Sequence, residues 1–213
     1  MAGYAKFTKA LLAAWFVFAV VASALHLYRN APNKPPLPVG LGVLIPIAAF
    51  LLWFAASPRF REFILALSPR PLTLAHTWRV GGFVFIALAT YGILPWLFAI
   101  PAGLGDIAVG ATAAAVALNR ANPRHRTSFI AWQIFGMADL VVAVSLGTLA
   151  GVIQPHGVPT AAMTVLPMSL IPTFGVPLFF IFHIICIAQA RRWPAQEGMR
   201  SLQPAGVPGA SAQ

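Results

Sequence analysis

Polar and charged positions along this chain are confined to short interruptions, and the apolar residues between them run on without alternation. Several of these stretches are roughly 18 to 25 residues long, enough to cross a hydrocarbon core of about 30 Å. Six spans fit the pattern, at about 10–28, 39–57, 78–99, 101–119, 128–151 and 163–189. Continuous runs, rather than a period of two, point to helices and away from a β-barrel. The predicted fold is therefore an all-α membrane protein, a six-transmembrane-helix bundle occupying residues 1–193. Between the second and third spans, Pro58 to Thr77 sets Arg59, Arg61, Glu62 and Arg70 among Phe60, Phe63, Ile64, Leu65 and Leu67. That mixture suits a short amphipathic helix lying in the interface and broken at Ser68-Pro69. The segment 194–213, rich in Pro, Gly, Ala, Ser and Gln, is expected to be a disordered tail.

Composition strengthens the membrane reading. Apolar residues make up 59% of the 213 and charged residues 8%, against about 25% charged in a soluble domain. The net charge of +10 would suit a nucleic-acid partner, but the basic residues punctuate the ends of apolar runs and form no basic tract. No nucleic acid is expected; the lipid bilayer is the first partner. With six spans, Lys6, Lys9, Arg59, Arg61, Arg70, Arg79, Arg120, Arg124, Arg126, Arg191, Arg192 and Arg200 share one side, and Arg29 and Lys34 the other. The positive-inside rule then places both termini in the cytoplasm. Trp53, Trp78, Trp96 and Trp193 fall near span ends, as interface anchors do. Lys6, Lys9, the run Ala10 to Val21 and Ala22-Ser23-Ala24 mimic a secretory signal; in an otherwise membrane-spanning chain the segment reads as a retained first helix. The single cysteine, Cys186, lies in an apolar run and reads as a buried, inert thiol.

Half of the four acidic residues lie inside spans. They are Asp106, in Gly103-Leu104-Gly105-Asp106-Ile107-Ala108-Val109-Gly110, and Asp139, in Gly136-Met137-Ala138-Asp139-Leu140-Val141-Val142-Ala143. An ionisable residue within a membrane helix is a candidate functional site. Asp106 is 14 residues before Arg120 and Asp139 is 13 after Arg126, so both lie roughly 20 Å from the basic end. Each has glycine three residues before it and a small residue four after, on one helix face. With Ala114, Gly147 and Gly151, these positions form stripes through which the fourth and fifth spans are expected to pack, the carboxylates between them. Two carboxylates at such a contact do not both ionise cheaply; they hold a proton, share a cation, or hydrogen-bond as structural glue.

Other groups reach the same level. Pro167, Pro172 and Pro177 recur every five residues in the sixth span, and are expected to break it and release the carbonyls of Met163, Met168 and Thr173. Pro46 and Tyr91 arrive at similar depths. Broken helices with free carbonyls near the midplane are how many secondary transporters build ion sites. The expected site therefore comprises Asp106, Asp139, Tyr91 and Thr173 as substrate or ion ligands. His26 caps it from the outer end, and His183 serves as a gating or proton-relay group. His156 reads as a solvated loop residue. No cofactor or metal is expected; haem held by His76 and His183 is the alternative, and no Cys-x-x-Cys-His signature accompanies it. Hydrolase, metalloprotease, nucleotide-loop and dinucleotide motifs are missing from the sequence. Gly103-Leu104-Gly105-Asp106 matches one of the two phrases of presenilin-like proteases, and the Tyr-Asp phrase is missing, so an enzyme is not the expectation.

The elements Arg79-x-x-Gly82, Leu94-Pro95, Pro101-Ala102-Gly103-x-Gly105-Asp106, Gly136-x-x-Asp139-Leu140 and Leu170-Ile171-Pro172-x-Phe174-x-Val176-Pro177 span about residues 78–190. They resemble a group of small bacterial inner-membrane proteins with no established activity. The resemblance implies that location and a multi-pass topology, and carries over no residue role. Together these readings favour a small carrier or permease for a proton, cation or small solute. The rival is a non-catalytic subunit or assembly factor, in a homo-oligomer or larger membrane complex; a redox protein ranks third. A carrier requires both carboxylates to line a cavity open to the outer side, whereas a structural role buries them against packed side chains.

Overall fold

The computed structural model describes residues 2–29, 36–154 and 156–194. Within them the chain is helical and carries no strand. Six helical segments are long and apolar enough to cross a membrane: Gly3–Ala24, Leu37–Ala56, Pro69–Thr90, Trp96–Asn119, Pro123–Ile153 and Ile171–Arg191. The first two are α1 (Ala2–Ala24) and α2 (Leu37–Ala56), and a short α3 (Pro58–Leu65) follows. The third span joins α4 (Pro69–Leu74), a 3₁₀ stretch (Ala75–Gly82) and α5 (Phe83–Thr90) end to end. The fourth and fifth are α6 (Trp96–Asn119) and α7 (Arg126–Ile153); the sixth opens with a π-helical turn (Ile171–Gly175) that runs into α8 (Val176–Arg191). Of the expected tail, 194–213, all but Pro194 lies outside the described residues, as does Lys34.

The third span differs from the expected 78–99 by about nine residues at each end. Gly92, with φ of +67°, and Pro95, extended at the N-cap of α6, turn the chain where the apolar run suggested continued helix. Residues 91–95 are therefore a loop, and the span begins directly after Ser68.

α3 is amphipathic, as its sequence implies. Pro58 opens it, and the Ser57 hydroxyl accepts the Phe60 amide hydrogen at 3.3 Å. Its buried face, Phe60, Phe63 and Ile64, packs against Tyr4, Trp53, Ile181 and Ile185 of the bundle, while Arg59 and Glu62 are exposed. The amphipathic segment stops at Ser68 rather than Thr77, because Pro69 already starts the third span.

The prolines of the sixth span sit where they cost little. Pro167 lies in the turn ahead of the helix, Pro172 in the first turn of the π segment and Pro177 in the first turn of α8. Their five-residue spacing matches the reach of a π turn, in which the Val176 amide donates to the Ile171 carbonyl. Of the carbonyls expected to be released, that of Met168 accepts the Ile171 amide hydrogen at 3.1 Å.

Candidate functional site

Arg79 is the centre of the polar interior. It lies ten residues after Pro69 and eleven before Thr90, midway along the third span, and is 4% exposed. Its Nε donates to Asp106 Oδ1 at 2.6 Å, and its Nη2 donates to Asp139 Oδ2. Nη1 donates to the Gly136 carbonyl at 3.2 Å and lies 3.3 Å from His183 Nε2. One guanidinium therefore ties the third span to α6, α7 and α8. A charge this deep persists in an apolar setting only when paired and hydrogen-bonded, and here every nitrogen of the fork has an acceptor.

Two expectations are corrected by this one residue. Arg79 is not a boundary charge at the start of the third span, so among the described residues Lys6, Lys9, Arg59, Arg61, Arg70, Arg120, Arg124, Arg126, Arg191 and Arg192 remain at the basic end of the bundle, against Arg29 at the other. Nor do the acids face each other across bare glycine stripes. Both reach the same guanidinium, as their equal depth implied, but the shared cation belongs to the protein.

Glycines make the room. A Cβ on Gly105 would overlap the Asp139 carboxyl group, one on Gly136 the His183 ring, and one on Gly82 the Asp106 side chain. At Gly110 it would meet the backbone of Val80 and Arg79, with Arg79 C at 2.9 Å; at Gly103 it would meet the Gly82 carbonyl, also at 2.9 Å. The stripe Gly103–Asp106–Gly110 thus faces the third span rather than the fifth, while Gly105 is the contact with α7. The 3₁₀ stretch that carries Arg79 runs eight residues, longer than is usual for this geometry, and it lies against these glycines.

From the triad a polar ladder descends toward the basic end. Because the guanidinium only donates, His183 Nε2 accepts, and the ring carries its hydrogen on Nδ1. Nδ1 donates to Gln133 Oε1 at 2.5 Å, and Gln133 Nε2 donates to Thr73 Oγ1 at 3.2 Å. Thr73 Oγ1 in turn lies 3.8 Å from Cys186 Sγ. His183, Gln133 and Thr73 are fully buried. His76 stacks on His183 with ring centroids 4.0 Å apart, and neither of its ring nitrogens has a hydrogen-bond partner among the described residues. Axial haem ligation needs two imidazoles on opposite faces of a porphyrin. Rings stacked at 4.0 Å leave no room for one, so these histidines do not fit that group.

On the other side of the triad lies a cavity of about 80 Å³. It extends from Asp106 between Val43, Leu140 and Pro172 to Thr148, Thr160 and Thr164, at the end of the bundle opposite the basic one. Asp106 lines it and Asp139 does not; their side chains are 15% and 7% accessible. The requirement that both carboxylates face a cavity is met by one.

The remaining expected residues are elsewhere. Tyr91 is 80% exposed in the loop after α5, because the third span ends before it. Thr173 is buried in the π turn, where its hydroxyl donates to the Ser169 carbonyl at 2.7 Å. It packs against Gly42 and Tyr28 and lines a separate cavity. Burial raises the Tyr28 hydroxyl above its ordinary range, and the hydrogen bond with Thr173 works against that. His26 is exposed in the turn after α1, with φ of +60°. Arg79 and Gln133 went unseen as site residues. The signal for Arg79 was available: it is the single Lys or Arg between Arg70 and Arg120, and a span counted from Arg70 puts it at the centre.

Residues 36–191 match the family described as a domain of unknown function, DUF8737, and the chain belongs to that family. No curated protein and no solved structure matches it significantly. The family match covers every element except α1.

Proposed function

We propose that this DUF8737 protein is a small membrane carrier for a proton or monovalent cation, with Asp106 as the exchangeable group. The observation that carries the reading is the Asp106–Arg79–Asp139 triad with a cavity at only one of its acids. One guanidinium balances one carboxylate. With both acids ionised the triad carries one negative charge, and in a low-dielectric interior that excess calls for one proton or one cation. Asp139 is the fixed partner, held by Nη2 beside the bonds to the Gly136 carbonyl and His183. Asp106 holds the guanidinium through Nε and faces the cavity, so it can take up the exchangeable charge while Arg79 stays anchored. A cavity of about 80 Å³ has room for a few water molecules but lies well below the roughly 300–1,000 Å³ of sites for larger solutes. On this reading the cavity is on the periplasmic side of a bacterial inner membrane and both termini are in the cytoplasm, a reading that the positive-inside rule supports. The His183–Gln133–Thr73 ladder is then the polar route toward the cytoplasmic end.

A second reading has its own observation. Arg79 is saturated by four partners on three helices, which suits a pin that fixes the bundle of a structural or assembly subunit. Proton, Na⁺ and K⁺ flux into proteoliposomes, driven by an imposed membrane potential and followed with internal pH-, Na⁺- and K⁺-sensitive dyes, separates the two. The carrier predicts flux in the wild type and its loss in Asp106→Asn, with the variant still monodisperse. Equal flux in both, or none in either, leaves the structural reading.

A further inference from the structure

A second site lies away from the triad and does not depend on its role. α1 makes aromatic contacts with the rest of the protein near its start and about its middle. Toward the basic end Tyr4 stacks on Phe63 with centroids 5.7 Å apart and Phe7 meets Trp53 edge-on at 5.7 Å; farther along, Trp15 and Phe16 contact Phe174 at 4.8 and 5.1 Å. Between those contacts α1, α2, α3 and α8 line an open slot of about 410 Å³. Its walls are apolar, with Trp15, Phe50, Trp53, Phe60 and Ile181 among them, and among the described residues the single polar one lining it is Thr8. The Thr8 hydroxyl is buried and has no hydrogen-bond partner among the described residues. Six residues from the start of α1, it lies roughly 9 Å inside that end of the helix. Lys9 and Lys6 flank it on α1, Arg59 and Arg61 flank Phe60 on α3, and Glu62 is the one acid in that group.

We infer that this slot binds an anionic glycerophospholipid. The acyl chain fills the apolar walls, an ester carbonyl accepts the Thr8 hydroxyl, and the phosphate headgroup meets Lys6, Lys9, Arg59 and Arg61 at the basic end. Each part of the lipid answers a feature that the protein leaves unmet: an apolar void, a lone buried donor and an excess of three positive charges. Basic clusters at the membrane surface attract anionic headgroups in this way.

The test uses the whole purified protein in detergent. Its thermal midpoint is titrated with phosphatidylglycerol or phosphatidylcholine, and native mass spectrometry counts bound lipid. Three excess charges predict half-saturation by phosphatidylglycerol at a concentration about a hundredfold lower. Lys9→Gln with Arg61→Gln lowers that preference about thirtyfold and leaves the phosphatidylcholine response in place. Ala49→Phe, at an exposed α2 position lining the slot, weakens the response to both lipids; Asp106→Asn changes neither. Equal responses of the wild type to the two lipids, or an undiminished phosphatidylglycerol response in Ala49→Phe, overturns the proposal.

Discussion

The two sides of this bundle are put together by opposite rules. Around Arg79, backbones approach so closely that five glycines have no space for a methyl group, and a charged fork is bonded to three helices at once. Around α1, contact is made by a few aromatic pairs and one serine pair, and cavities of about 410 and 490 Å³ lie along the helix. The family match covers the first region and omits α1. In a membrane there is little hydrophobic drive to bring helices together, so close backbone approach and polar bonds decide which helices form a unit. By that criterion the unit is the third to sixth spans, and α1 is an accessory that lipid can penetrate.

The strongest way to break the contrast is to remove the cation. Arg79→Leu leaves two buried carboxylates without a counter-charge, and losing one partner of a buried pair costs about 3–5 kcal/mol. The expected result is a protein that aggregates on extraction or unfolds well below the wild type by size exclusion and thermal scanning. Asp106→Asn with Asp139→Asn added to Arg79→Leu should recover much of the loss, because an uncharged interior has nothing left to neutralise. A triple variant as damaged as the single one means that Arg79 acts through packing instead.

Much of this arrangement is legible from residue positions, and the misreadings have one origin. Counting from the flanking arginines put Asp106 and Asp139 at one depth, and they do meet one guanidinium. The same counting treats every arginine as a flank, which displaced the third span and with it Tyr91. An arginine neutralised by two acids is tolerated inside a span, and hydropathy alone does not register that compensation. Thr173 was assigned by depth, but depth says nothing about which way a side chain faces. The polar ladder was harder still, since Gln133 joins it only through the mutual rotation of α7 and α8.

Glycine substitutions sharpen the contrast with a smaller effect. Gly110→Ala places a methyl group against the backbone of Val80 and Arg79, which has no flexible side-chain end to yield. Overpacking of that kind typically costs about 1–3 kcal/mol. Gly40→Ala in α2 meets nothing within 4 Å, and the gain in helix propensity is worth up to about 1 kcal/mol. Thermal midpoints should therefore move in opposite directions. Equal shifts for the two would show that the close packing around Arg79 is not what holds the core.

Gln133→Leu tests the ladder with an effect of comparable or lower size. It removes the acceptor of His183 Nδ1–H and the donor to Thr73 in one step. A buried donor left without a partner costs about 1–3 kcal/mol. If the ladder is also the proton route, flux in proteoliposomes falls while Gln133→Leu, unlike Arg79→Leu, still extracts as a monodisperse protein with its triad in place. Loss of stability without loss of flux separates the ladder from the route.

The smallest effect belongs to the fastening of α1. Ser169 Oγ donates to Ser23 Oγ at 2.8 Å, and both hydroxyls are buried. Membrane hydrogen bonds of this type average about 0.6 kcal/mol, so Ser169→Ala alone should lower the thermal midpoint by roughly 1–2 °C in a chain of this size. The informative variant is the double. Removing one hydroxyl leaves its partner buried and unpaired, whereas removing both leaves no unmet group, so Ser23→Ala with Ser169→Ala should be no less stable than either single change. Additive losses would mean that each serine has another partner, and that α1 is tied to the core more firmly than its few contacts indicate.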